Sequence, residues 1–361
     1  MKTFFRLFFI LLITVNSNAQ EEIQINSPEI DKIIEELKDS LSIPAVAVGI
    51  AIKGEIKYTN TFGYSNLETH TKLKTNSVWH LCSISKQFST VACLKLAEEN
   101  KLSLSDNLCQ YIDTLPKEYK RITIANLLSQ TSGIKDYLNE KDLFGHLWKE
   151  VKKEVFSDSL NFSPGTSWSY SNTGFWIIAK IIEKVSGLDY NQYLEQNFFS
   201  KLGMSNTQRI SWYNIVPQRV NGYVEKKNTM YNSVADMNQF CGQGDGDITS
   251  TINDLLKWNL ALANGTLLQK ESIANLWCPT TLKNGNKVEV FPHSAISYGM
   301  GWFIKKIKGY NIVWTPGSGF GFSASSQYIP QKDLTIIVFC NKEQFLMADD
   351  IGFSIAQKLI N

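Results

Sequence analysis

The sequence predicts a mixed α/β chain of the α+β type, an antiparallel sheet flanked by helices beside a mostly helical unit. Three observations carry that expectation. Strand-like runs gather near both chain ends, between residues 45 and 62 and again between 299 and 340. The links between successive runs are short, which suits antiparallel pairing, because a parallel pair needs a long crossover. The middle of the chain instead places its apolar residues at helical spacing.

Taken in order, residues 1–19 read as a leader rather than as fold. Lys2 and Arg6 supply charge, an apolar stretch runs to Val15, and Ser17-Asn18-Ala19 offers small residues before a cut. That build is expected of a secretory signal peptide, too short in its apolar part to span a bilayer securely, with an uncleaved anchor as the alternative. Gln20 follows, so no lipid-bearing cysteine does. Residues 29–40 then form an amphipathic helix, and residues 45–52 and 55–62 two strands joined across Lys53-Gly54. Helices are expected over residues 86–98, 122–128, 173–185, 188–199 and 254–263. Strands follow over 299–307, 310–314, 323–329 and 334–340, with a last helix over 348–360. The implied division is a sheet unit from residues 26–82 and 286–361, a mostly helical unit from 83–285, and a site at their interface.

Composition narrows the partners. The 361 residues are 43% hydrophobic, with 36 basic against 34 acidic side chains. Loss of the leader removes two basic residues and leaves a formally neutral chain. Nucleic acid and anionic membrane surfaces, which demand a basic excess, are poor partners. The expected partner is a small-molecule or peptide substrate, cell-wall peptide included. Four scattered histidines and no Cys-x-x-Cys argue against a zinc site, and no metal or organic cofactor is expected. Export to the periplasm or medium makes the six cysteines eligible for disulfides, yet a chain this long needs no staples and mostly free thiols are expected.

The chemistry begins at Ser83-Ile84-Ser85-Lys86. Positions three apart on a helix share a face, so the hydroxyl and the amine meet. Serine attacks only after a base takes its proton, and lysine serves as base once burial lowers its pKa. A helix cap beside a solvated lysine has the same spacing, and Ser132-Gly133-Ile134-Lys135 matches it at what reads as a turn. Tyr170-Ser171-Asn172 stands at the entrance to the next helix, where a phenol can relay protons and an amide can orient a carbonyl or the lysine. Anchoring of that tyrosine in a core is the alternative. The third element is Thr315-Pro316-Gly317-Ser318-Gly319. It reads either as a strand edge open to an extended or acyl substrate, with the Ser318 N–H as oxyanion donor, or as a glycine-rich turn. Gly242-Gln243-Gly244-Asp245-Gly246-Asp247 reads as a flexible loop, since it lacks the alternating acids and closing Glu of a calcium loop.

The order Ser-x-x-Lys, Tyr-x-Asn, then a late glycine-rich strand resembles the serine β-lactamase and penicillin-binding protein superfamily. It is most similar to the branch of class C β-lactamases, D-alanyl-D-alanine carboxypeptidases and family VIII esterases. Pro164-Gly165, Leu202-Gly203-Met204, Thr249-Ser250-Thr251 with Asp254 and Trp258, and Tyr298-Gly299-Met300-Gly301-Trp302 fall in family order. The resemblance implies a β-lactamase/transpeptidase-like fold and a serine hydrolase of esters, amides or peptides. It makes Ser83 the nucleophile, Lys86 its base partner, Tyr170 the proton relay and Asn172 a substrate ligand. Thr315, Gly317 and Ser318 become the substrate-binding strand. The alternatives are a D-alanyl-D-alanine carboxypeptidase acting on peptidoglycan peptides and a non-catalytic relative that only binds peptide or a partner. Two positions depart from the pattern. Thr315 stands where the family carries Lys or His, and Gln130 where relatives often carry His. Loss of that cation removes a charge-assisted contact to a substrate carboxylate, worth about 1.5–3 kcal/mol. The expectation is weak or absent β-lactam turnover.

Overall fold

A computed structural model describes residues 23–113, 115–139, 146–156, 159–210, 214–233 and 242–360. The leader expected over residues 1–19, and Cys241, lie outside the described residues. No helix among the described residues is long and apolar enough to cross a membrane.

The strands in chain order are β1 (Ala45–Ile52), β2 (Glu55–Asn66), β3 (Thr71–Lys72), β4 (Trp79–His80) and β5 (Gln208–Arg209). Next come β6 (Tyr223–Lys226), β7 (Thr229–Asn232), β8 (Ile248–Ser250) and β9 (Ser297–Tyr298). Last are β10 (Phe303–Ile307), β11 (Tyr310–Gly319), β12 (Phe322–Ile329) and β13 (Leu334–Cys340). Eight of them form one sheet in the order β3-β2-β1-β13-β12-β11-β10-β9, every neighbouring pair antiparallel. Both chain ends therefore meet at its centre, where Val46 faces Cys340 and Ile52 faces Leu334. The β4-β8-β5 sheet and the β6-β7 hairpin were not foreseen, because two- to four-residue strands leave too short a pattern to read.

β1 shows how the sequence builds the layers. All eight of its residues are buried, so it is covered on both faces. Val46, Val48, Ile50 and Ile52 pack on one side with Ile30 and Ile34 of the Ser27–Ser40 helix and Ile351 and Ile355 of the Met347–Leu359 helix. Ala45, Ala47 and Ala51 turn to the other side, toward the Ile252–Ala263 helix. At Gly49 the approach is so close that an added Cβ would lie 2.8 Å from Leu256 Cδ1. Bulky residues thus fill one layer and small ones admit a helix on the other, each buried Val or Ile contributing roughly 1.5–3 kcal/mol.

The strand predicted over 299–307 begins only at Phe303. Gly301 is left-handed (φ 86°), and Gly299 passes so near the Leu276 carbonyl that a Cβ would sit 2.1 Å from it. These glycines make a turn. β11 runs five residues beyond the predicted 310–314, to Gly319. Its pairing with β10 stops at Trp314, so the edge of residues 315–319 on that side is unpaired. The predicted 188–199 helix is shorter, ending at Leu194 and continuing as a π-type turn over Glu195–Phe199.

One buried carboxylate ties the fold to pH. Asp349, in the first turn of the last helix, accepts from Ser325 Oγ at 2.7 Å, while its Oδ2 has no partner among the described residues. Burial pushes its pKa up to about 8, against the pull of Ser325 and Lys305. The folded state therefore holds a proton that the unfolded chain, near pKa 3.9, has released. Stability from this group is present at low pH and falls as pH rises toward 8, by at most about 1.4 kcal/mol per pH unit. Asp349→Asn should be more stable than the parent at pH 8 in urea unfolding, with the gain shrinking toward pH 4. A gain of equal size at both pH values would contradict this account.

Candidate active site

Ser83 lies in a 3-10 turn, Cys82–Ile84, directly ahead of the Ser85–Glu98 helix. Cys82 enters the turn with a left-handed backbone (φ 48°), an uncommon state for a residue with a Cβ, so the chain swings sharply at the nucleophile. Two contacts hold it there. Cys82 Sγ donates to the Gly319 carbonyl of β11 at 3.4 Å and lies 3.6 Å from His80 Nδ1. Ser85 Oγ accepts from the Ile248 N–H at 3.1 Å, tying the helix start to β8.

One turn on, Lys86 is buried, and its Nζ meets three oxygens. It lies 2.7 Å from Asn172 Oδ1, 2.6 Å from the Asp245 carbonyl and 3.3 Å from Ser83 Oγ. Asn172 is oriented by its other end, since Nδ2 donates to Asp136 Oδ2 at 2.8 Å and its Oδ1 must face the lysine. The two short contacts are to carbonyl oxygens, which only accept. A neutral amine satisfies them with its two hydrogens and keeps its lone pair for the Ser83 hydroxyl. Burial depresses the Lys86 pKa to about 8, although the Asp245 and Asp136 carboxylates pull it upward.

Tyr170 completes the group. It lines the same cavity as Ser83, and Lys86 Nζ sits 4.8 Å from its ring centroid. Burial raises its pKa well beyond the usual phenol range, although the Ser83 hydroxyl pulls it down, so at neutral pH it is a proton-bearing phenol and not a phenolate. The segment that carries it is clamped from both sides. Gln130, itself left-handed (φ 61°), accepts from Ser171 N through Oε1 at 2.9 Å and from Ser169 N through its carbonyl at 3.0 Å. Asp136 Oδ1 accepts from Asn172 N at 3.2 Å. Ser171 caps the Asn172–Ser186 helix, which fixes where that helix and its first amide begin.

Ser83, Lys86, Tyr170 and Asn172 are therefore brought together. The third motif divides. Ser318 and Pro316 line a cavity of about 360 Å³ with Ser83, Tyr170 and Asn172. Thr315 and Gly317, expected to bind substrate, face the other way, as alternate residues of a strand must. The Thr315 hydroxyl donates to the Gly301 carbonyl at 3.3 Å, and a Cβ at Gly317 would lie 2.4 Å from the Leu81 carbonyl. Gly317 lets β11 press against the nucleophile turn, and Pro316 takes the place at the cavity wall.

The loop 242–247 corrects a second expectation. It is buried throughout rather than an exposed, flexible stretch. The Asp245 carbonyl accepts from Lys86, the Gly244 carbonyl from Ser89 Oγ at 2.6 Å, and the Gly246 carbonyl lies 2.6 Å from His80 Nε2. Asp245 and Asp247 are buried carboxylates whose pKa values burial raises. The floor under the lysine is thus main chain, invisible to a search for reactive side chains. The Ser132–Lys135 decoy is a turn, with Gly133 left-handed (φ 79°) and packed on the Phe162 carbonyl. Among the described residues five cysteines are free thiols, and no cluster suits a metal ion.

The sequence pattern of the family described as Beta-lactamase matches residues 30–357. The chain belongs to the β-lactamase family. Members of this family are serine hydrolases related to penicillin-binding proteins. Penicillin-binding protein 4* of Bacillus subtilis is 31% identical over 320 residues, covering 81% of this chain and 66% of that protein. The chain thus spans just under two thirds of the length of that relative. The fold is shared with the octameric penicillin-binding protein homologue from Pyrococcus abyssi, TM-score 0.81 at 23% identity, over 93% of this chain and 78% of that one. It is shared as well with the D-amino acid amidase from Ochrobactrum anthropi, TM-score 0.79 at 18% identity, over 92% and 97%. The β-lactamase fold accounts for the antiparallel sheet with helices on both faces and for the place of Ser83 beside β11.

Proposed function

We propose that this β-lactamase-family chain is an exported serine hydrolase that acts on neutral esters, amides or peptides through an acyl-enzyme on Ser83. The observation that carries the reading is the Lys86 amine, whose two short contacts accept only and whose remaining valence points at the nucleophile. In the first step Ser83 Oγ bonds to the substrate carbonyl carbon while its proton passes to Lys86. The bond to the leaving group breaks, and that group takes a proton relayed through Tyr170. In the second step water, deprotonated by the same pair, attacks the ester, releasing the acid and returning the proton to Ser83. The N–H groups of Ser83 and Ser318 are the oxyanion donors in this scheme. Export rests on the leader pattern of residues 1–19, and placement in the periplasm or medium is part of the proposal.

The described residues that line the cavity carry no charge, and Thr315, where the family has its cation, turns its hydroxyl to Gly301, which argues for poor use of substrates held by a carboxylate. A chromogenic cephalosporin should be hydrolysed with kcat/KM at least about 100-fold below that of a neutral p-nitrophenyl ester, the upper end of what a lost charge-assisted contact costs. Cephalosporin turnover equal to ester turnover would overturn this. The likeness to penicillin-binding protein 4* favours a second reading, D-alanyl-D-alanine carboxypeptidase. Release of D-alanine from an acylated D-Ala-D-Ala peptide, absent in Ser83→Ala, would decide for it.

A further inference from the structure

The cavity over Ser83 has walls that the acyl-transfer chemistry does not require. Trp168, Phe291, Phe303 and Phe345 line it with Leu138 and Pro316, and none of its lining residues carries a charge. The four aromatic rings come from four separate places: the segment before the Tyr170 helix, the loop ahead of β9, the first residue of β10 and the chain after β13. Two belong to the mouth and are poorly covered by protein, Phe291 at 44% exposure and Phe345 at 61%. Large aromatic side chains left in water around one opening mark a surface that an apolar partner covers. Trp168 and Phe303 form the inner wall and pack tilted and edge-on against Tyr298, at centroid distances of 5.6 Å and 4.9 Å from its ring.

Resting on the reading above, we propose that this cavity selects substrates by an uncharged aromatic group on the acyl side, next to the carbonyl that Ser83 attacks. Size supports it, since an apolar cavity of about 150 Å³ holds a benzene ring and this one is over twice that, leaving room for the scissile group. Charge supports it too. Lys86 is committed to its three oxygens, and the Thr315 hydroxyl faces away to Gly301, so a substrate carboxylate entering here would lose its water with no cation among the described lining residues to meet it.

The test is a set of three p-nitrophenyl esters, the acetate, the phenylacetate and the negatively charged hemisuccinate, each compared with Ser83→Ala. Phenylacetate should exceed acetate in kcat/KM by at least about tenfold, a cautious share of what burying a ring provides, and hemisuccinate should fall below acetate. Phe345→Ala, at a site 61% exposed, should cut the phenylacetate-to-acetate ratio at least about fivefold. Benzylboronic acid should inhibit more tightly than methylboronic acid by a similar ratio. Ser83-dependent hydrolysis with no preference for phenylacetate, or with a preference for hemisuccinate, overturns this inference and leaves the hydrolase reading in place. Absence of Ser83-dependent turnover of all three esters overturns both.

Discussion

Ser83→Ala abolishes covalent labelling by a fluorophosphonate and lowers ester turnover by at least about 10⁴-fold. The size follows from what is removed. Ser83 Oγ lies 3.3 Å from the Lys86 amine and shares its cavity with Tyr170. Alanine leaves that geometry intact but supplies no atom for the acyl group to bond. The turn itself should survive, because Cys82 and Ser85 make the contacts that hold it, to Gly319 and Ile248. Ser132 is the internal control. It heads the other Ser-x-x-Lys sequence but is buried, and its Oγ accepts from the Ile134 N–H at 3.3 Å. Intact-mass analysis of the parent should show one adduct, carried on the peptide with Ser83, and none on Ser132. An adduct of equal yield on Ser83→Ala would remove this serine from the chemistry.

The parts of the site that sequence reasoning reached are those whose signal is local. Ser83 and Lys86 are one helical turn apart, and Tyr170 and Asn172 stand two residues apart at a helix start. The same holds for the centre of the sheet. β1 and β13 have the bounds that their apolar runs predict, because a strand covered on both faces is apolar throughout. What escaped notice was assembled from distant segments or from backbone. Gln130 reads as a departure from a family pattern, yet its side chain and carbonyl together grip the chain on either side of Tyr170. The acidic, glycine-rich stretch of residues 242–247 has the composition of an exposed loop. It is buried because three of its carbonyls find side-chain partners in Lys86, Ser89 and His80. The aromatic cavity is drawn from four segments that share no spacing, so only the folded chain brings them to one place.

Lys86→Met should lower kcat/KM for a p-nitrophenyl ester by about 10³-fold, the range that a general base contributes. Methionine keeps the buried volume but offers neither lone pair nor hydrogens, so Asn172 Oδ1 and the Asp245 carbonyl lose their shared donor. A drop in stability should accompany the loss, and activity is therefore compared at a temperature where circular dichroism shows the variant folded. The pH profile separates catalysis from mere support. The base must be neutral to accept the Ser83 proton, so parent kcat/KM should climb with pH through the Lys86 titration, depressed by burial to about 8, and level off above it. The neighbouring groups that set this titration are Asp245, Asp136, Asp247 and the Cys82 thiol. Asp245 is the strongest, and its own carboxyl is raised by burial while Tyr137 donates to its Oδ2 at 2.8 Å. The two groups titrate as a pair. Asp245→Asn keeps the carbonyl that holds Lys86 and an oxygen for Tyr137, but removes the negative charge that favours the ammonium. The limb of the profile should then move to lower pH, with more activity retained at pH 6 relative to the plateau. A limb that moves upward, or a Lys86→Met profile with the same limb as the parent, would mean that another group takes the proton from Ser83.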